Sequence, residues 1–182
     1  MYKEVTGSSA IKFLSTKPTM IITTRHENGS VNAGVFGAYT NLSSEHLGIA
    51  ISTASDTHHN ILRTKEFTVN VPPADIVKTL KVLAEKMPPD VSEVEKAGLS
   101  LKPPIVHTTA SISECVAAVE CVLHQVVPVS SHDFIMGRVI GGWIRETAVT
   151  EQGRLDIFKG RIFKDFCYPE PFYVLPGEVI EG

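Results

Sequence analysis

Residues 19–39 read T-M-I-I-T-T-R-H-E-N-G-S-V-N-A-G-V-F-G-A-Y. The β-branched run Thr19–Thr24 follows Pro18 and predicts a strand. Asn28-Gly29, inside Glu27–Ser30, predicts a tight hairpin turn, because both central positions tolerate positive φ. The returning strand is predicted over Val31–Tyr39. Its Ala33, Gly34, Gly37 and Ala38 are poor strand formers, which marks a backbone that something approaches closely. Leu47–Ser52 and Phe67–Val71 read as a third and a fourth strand.

Between those two strands, Thr53–Glu66 offers Ser55 or Asp56 as an N-cap, an apolar turn at Ile61 and Leu62, and Arg63 and Lys65 to close it. A short helix entered from a strand end is the expectation. Ala74–Lys86 carries Ile76, Val77, Leu80, Leu83 and Ala84 at helical spacing and stops before Pro88-Pro89. Ser92 with Glu95 fits a capping box for a short helix to about Ala97, and Gly98 is its C-cap.

Strand character returns at Cys115–Val129, where Glu120 and His124 are expected on one face, as are Cys115 and Cys121 if the strand is unbroken. Ser130–Asp133 is a turn, Phe134–Arg145 a strand with a bulge or bend at Gly141-Gly142, and Leu155–Phe158 and Arg161–Phe166 are further strands. Strands first and last with short helices between predict a mainly β chain: one antiparallel barrel with helical insertions, spanning residues 1–182 as a single domain.

Composition bounds the function. The 182 residues are 43% hydrophobic and 20% charged, ordinary globular usage, with a formal net charge of −3. That balance lacks the basic footprint of a nucleic-acid binder, and no apolar run reaches the ~20 residues that span a bilayer. The first residues show no apolar core behind a basic end, so no secretory signal is expected. Cys115, Cys121 and Cys167 form no C-x-x-C and cannot all pair, which reads as reduced thiols in a cytoplasmic chain.

Two stretches carry the chemistry. Val31–Ser43 runs from a Gly- and Ala-lined strand into Thr40, Asn41 and Ser43, a surface on which a flat ring can lie against main-chain N–H groups. Ile49–Ile61 is strand, hydroxyl-rich turn and helix start, where backbone N–H groups favour an anion such as a phosphate monoester. Ser52, Ser55 and Thr57 add hydroxyl donors there, and His58 a cationic one. Simple capping by Ser55 or Asp56 explains the same residues, and both readings stand open. His132-Asp133 reads as a ligand contact, a proton donor or a solvated pair. His58 and His59 diverge by ~100° on a helix, and the other histidines stand singly, so no metal site is expected. G-x-S-x-G, Walker A and helix-opening G-x-G-x-x-G are all missing from the sequence.

At these residues the chain resembles the flavin reductase family of FMN-binding split barrels, which includes flavoredoxin-like proteins and ferric reductases. The likeness runs in order from Pro18 through Asn28-Gly29-Ser30-Val31-Asn32-Ala33, Ala38–Ser43, Ile49–Ser52, Asp56–Ile61 and Glu66–Val71 to His132–Val139 and on to Ile144. It departs at Glu45-His46-Leu47, where the family carries a proline pair, and in the order His132-Asp133 after Ser130-Ser131. The resemblance implies an antiparallel, Greek-key homodimer with FMN at the subunit interface. Gly37, Ala38, Tyr39, Thr40 and Asn41 are implied to lie along the isoalloxazine ring. Ser52, Ser55, Thr57 and His58 are implied at the phosphate, with Asn32 also among the cofactor-binding residues and His132 as the catalytic contact. It further implies an NAD(P)H-dependent flavin or ferric reductase passing hydride from nicotinamide to flavin N5. Free flavin, ferric iron or a redox partner protein is the implied acceptor. A flavoredoxin-like carrier with permanent FMN and a non-catalytic FMN-binding module are the alternatives.

Overall fold

The structure is a computed structural model that describes residues 16–107, 109–166, 172–177, 179 and 180, so Cys167 lies outside the described residues. The strands are β1 (Thr16–Pro18), β2 (Met20–Arg25), β3 (Val31–Phe36), β4 (Tyr39–Asn41), β5 (His46–Ser52) and β6 (Glu66–Val71). After the helical segment come β7 (Leu101–Lys102), β8 (Ser111–Ile112), β9 (Ala117–Val129), β10 (His132–Ile144), β11 (Lys164–Phe166) and β12 (Tyr173–Val174). The helices are α1 (Asp56–Thr64), α2 (Leu80–Leu83) and α3 (Glu93–Lys96).

Among the described residues the main sheet has the order β3-β2-β6-β9-β10-β5-β4, with every neighbouring pair antiparallel. β3 and β4 stand at opposite ends of that order, yet only Gly37 and Ala38 separate them. Three trans peptides span at most about 11 Å, so the sheet must curl until its two ends meet. Helix α1, about 13 Å long at 1.5 Å per residue, packs against β2 and β3 near one end of the order and β5 near the other. The result is a mainly β split barrel. The single strand expected over Val31–Tyr39 is therefore two strands, broken where the chain crosses the seam.

Alternation places successive residues of β2 on opposite faces. Ile22 joins Ile49, Ile51, Ile61, Phe67, Val69, Cys121 and Ile135 in one core. Ile21 joins a second core formed with Ala33, Ile76, Leu80, Leu83, Val94 and Phe163, under the segment between β6 and β7. Gly29 adopts φ +88°, as the expected hairpin requires, and Gly98 adopts φ +70° after α3.

Several expectations are corrected. Ala74–Thr79 is a 3₁₀ helix and only Leu80–Leu83 is α-helical; the Thr79 hydroxyl donates to the Ile76 carbonyl at 2.7 Å, and Pro73 gives no side-chain cap. Leu155–Phe158 is no strand: Leu155 makes only an isolated bridge to Val149, and a turn begins at Ile157, where the Asp156 carboxylate accepts the N–H groups of Phe158 and Lys159, both at 3.0 Å. The β9–β10 ladder slips so that Gln125 and Leu123 face Met136 and Gly137, leaving His124 as an extra residue. Glu120 is consequently buried while His124 is exposed. Cys115 precedes β9 and packs in the outer core, whereas Cys121 packs in the other, so the two share no face. A second slip falls between Val139 and Gly141, at the glycine pair.

Candidate functional site

A cleft of about 340 Å³ lies along β3. Its walls are residues 32–36 of that strand, Ser52 and residues 54–57 at the start of α1, and residues 83–86 with Glu93 from the helical segment. Since β3 ends the sheet order, one row of its N–H and C=O groups is not spoken for by a neighbouring strand. Gly34 keeps this wall thin: a Cβ there would stand 3.0 Å from Thr57 Oγ1 and 2.8 Å from the Phe36 ring.

The start of α1 is built by Ser55. Its backbone is extended, its Oγ accepts from the His58 N–H at 3.2 Å, and its hydroxyl donates to the Ser52 carbonyl at 2.8 Å. The hydroxyl hydrogen is thus consumed by the cap. Thr57 differs. Asn32 Nδ2 donates to Thr57 Oγ1 at 3.0 Å and to Thr24 Oγ1 at 3.0 Å, and Asn60 Nδ2 donates to Thr24 Oγ1 at 3.2 Å and meets His26 Nδ1 at 3.3 Å. With its oxygen accepting from Asn32, Thr57 has no acceptor for its own hydrogen among the described residues. Ser52 is in the same position, its Oγ accepting the Ala54 N–H at 3.3 Å.

The cleft therefore gathers Asn32, Ser52, Ser55 and Thr57 from the residues expected at a cofactor, and leaves the others outside its walls. The His58 ring turns away to Asp133, with Nε2 to Oδ2 at 2.7 Å, and straps α1 to β10. His132 pairs with Ser52 across the β10–β5 ladder, so both side chains stand on one sheet face; its Nδ1 lies 3.1 Å from Ser131 Oγ. The pleat then sends Asp133 to the opposite face, toward α1, which gives the order His132-Asp133 a structural use. Tyr39, Thr40 and Asn41 form the edge strand beside β5, and Tyr39 donates to Asn41 Oδ1 at 2.5 Å. Burial, and then Cys121, push the Tyr39 phenol up. At Gly37 the close approach comes from the chain itself: a Cβ would meet Lys17 Cδ at 3.2 Å and the Pro18 carbonyl at 3.5 Å.

Sequence reasoning missed Thr24, His26, Asn60, Lys86 and Glu93. The signal for Thr24 and Asn60 was a polar side chain within a strand and a helix, while His26 directly follows β2. For Glu93 there was none, because it hides inside the capping pattern of Ser92, whose Oγ accepts from the Glu95 N–H at 3.3 Å. Glu93 is only 3% exposed and its Oε2 has no hydrogen-bond partner among the described residues. Burial pushes its carboxyl up, against the N–H groups of Glu93 and Ala33 and the nearby His26, while Asp56 adds to the rise.

A family model described as the flavin reductase like domain matches residues 14–162. A protein of Halalkalibacterium halodurans is 33% identical over 137 residues, covering 68% of this chain and 66% of its own length. Among solved structures, nitrilotriacetate monooxygenase component B from Bacillus cereus superposes with a TM-score of 0.88 at 21% identity, over 100% of this chain and 98% of that one. Flavoredoxin from Methanosarcina acetivorans gives 0.86 at 20% over 100% and 95%. An FMN-binding protein from Thermus thermophilus, with bound 1-cyclohex-2-enone, gives 0.81 at 20% over 100% and 98%. Those likenesses speak for the barrel, and the match of the family model over most of the chain speaks for descent: the chain belongs to the flavin reductase like family.

Proposed function

We propose that the chain is a flavin-dependent oxidoreductase that holds FMN in the cleft along β3 and draws its electrons from NADH or NADPH. The observation that carries this reading is Thr57, whose oxygen is held by Asn32 while its hydrogen meets no acceptor among the described residues at the start of α1. The same cleft is lined by Ser52, the first residues of α1 and Lys86, whose hydroxyl, N–H groups and ammonium are a donor set that suits the oxygens of a phosphate monoester. The thin wall at Ala33 and Gly34 and the open edge of β3 suit a flat ring with hydrogen-bonding edges. When bound, FMN supplies the hydride chemistry. The protein's residues do the rest: Ser52 and Thr57 hold the charged end, Asn32 orients Thr57, and His132, opposite Ser52, gives a polar contact to the ring or the nicotinamide. Gly37–Asn41 borders the ring from the barrel seam. The working unit is a homodimer, and the electrons leave to free flavin, ferric iron or a redox partner protein.

The test is an absorption titration of the purified chain with FMN, followed by addition of NADH or NADPH. The flavin bands are expected to sharpen to saturation, and nicotinamide is expected to be consumed when free FMN is present. A colourless protein that ignores FMN throughout overturns the reading. A yellow protein that oxidises neither nicotinamide is an electron carrier of the flavoredoxin kind.

A further inference from the structure

The charges around the cleft run against the ligand it is read to hold. Among the described residues its walls carry Asp56, Glu85 and Glu93 against one cation, Lys86. Glu85 is compensated, since its Oε2 lies 3.4 Å from Lys96 Nζ. Asp56 occupies the first turn of α1, where the helix dipole favours a carboxylate. Glu93 opens α3, but four residues carry only a slight helix dipole, and Oε2 is left with no partner among the described residues in a nearly solvent-free position. A buried, half-partnered carboxylate beside an arriving phosphate is a like-charge pair, and one of the two must give up charge or the pair separates.

We propose that Glu93 takes up a proton when the anionic end of the ligand enters the cleft, so that Oε2 changes from an orphaned acceptor into a donor toward that ligand. Glu93 then selects for an anionic tail under acidic conditions and weakens its hold as the solution becomes alkaline. This inference rests on the FMN reading above and adds a proton to it. The charged groups acting on Glu93 are His26, just after β2, and Asp56 on α1; Glu85 and Lys86 share the cleft walls, and Glu95 and Lys96 share its helix. Of these, His26 is the other candidate to carry the proton, and the experiment separates it. The burial that raises the free carboxyl acts in the required direction, and a phosphate dianion raises it further.

The test is calorimetric titration of FMN in two buffers of different ionisation enthalpy, which counts protons taken up on binding. It is run between about pH 7 and 8.5, above the second ionisation of a phosphate monoester, so the ligand's own proton is not counted. Riboflavin, which lacks the phosphate, serves as the neutral-tailed probe. In the parent protein, FMN binding is expected to take up a proton, and its Kd is expected to rise by up to about tenfold per pH unit. Riboflavin binding is expected to take up markedly less. Glu93→Gln keeps shape and polarity without charge. It is expected to abolish the uptake and to bind FMN at pH 8.5 at least as tightly as the parent, while His26→Gln retains the uptake. Zero uptake in the parent, which needs no variant to fold, overturns the proposal. So does uptake that survives in Glu93→Gln or disappears in His26→Gln. Failure of FMN to bind the parent at all overturns the flavin reading together with this one, whereas binding without proton uptake overturns this one alone.

Discussion

Replacing Thr57 by valine keeps the β-branched shape inside α1 and deletes a single oxygen. Two consequences separate. Within the folded chain, Asn32 Nδ2 loses one of its two acceptors at 3.0 Å and keeps Thr24. A buried donor deprived of a partner costs about 1–3 kcal/mol, which for a chain of this length lowers Tm by roughly 2–12 °C. At the ligand, a hydrogen bond to a charged oxygen is worth about 1.5–3 kcal/mol, so the Kd for FMN rises roughly 10- to 150-fold. Riboflavin presents no phosphate, and its Kd should move by no more than about twofold. Thr57→Ser restores the hydroxyl and should recover most of the FMN affinity. The assay is parallel fluorescence titration of both flavins against parent, Thr57→Val and Thr57→Ser, with the fold checked by circular dichroism. Folded Thr57→Val that binds FMN as well as the parent would falsify the assignment of the phosphate to this turn. Equal losses for both flavins would point instead to a collapsed cleft, and the donor role would fall with it.

Other features make their own commitments. Burial would push the Glu120 carboxyl up, but the N–H groups of Ile105, Val106 and His107 at 2.5, 2.8 and 3.1 Å, with His107 beside it, hold it below its usual range. Its contribution to stability is thus complete above the unfolded value of about 4.3 and is lost as pH falls through the lower folded value. Glu120→Gln should be less stable than the parent by roughly 2–4 kcal/mol at neutral pH, with the gap in urea unfolding narrowing below about pH 4; a gap that ignores pH refutes this. Gly142→Ala should destabilise by about 1–3 kcal/mol, because its Cβ would meet the Ala118 carbonyl at 2.4 Å and the Val119 Cα at 3.2 Å, both backbone atoms that cannot rotate aside. An unchanged thermal midpoint would show that the ladder relaxes there. Asp133→Ala should cost about 1–3 kcal/mol by stripping the buried His58 of its hydrogen-bond partner, read as an earlier urea midpoint; an unaltered midpoint would mean that this strap is idle.

Local chemistry in the sequence was legible wherever a single residue decides a local geometry. Asn28-Gly29 announces its hairpin, Ser55 its helix and Gly98 the end of α3, because each acts within a few bonds. The barrel seam was not legible. Val31–Tyr39 is periodic enough for one strand, and only the pairing of its two ends with β2 and β5 reveals the break at Gly37-Ala38. The extra residue at His124 escaped for the same reason: a bulge belongs to a ladder, not to a strand. At the site, hydroxyls beside a helix start were readable as candidates. Which of them are free was not, since Ser55 spends its hydrogen on Ser52 while Asn32, 25 positions earlier, preserves that of Thr57.

The free edge of β3 has a consequence beyond ligand binding. An open strand of small and apolar residues is a template for the same strand of another chain, and proteins that leave one uncovered tend to polymerise. Here α2 and α3 pack on β3, burying Ala33 against Leu80, Leu83 and Val94. The short helices between β6 and β7 thus serve as a guard rail over part of that edge, and the cleft runs beside them along residues 32–36.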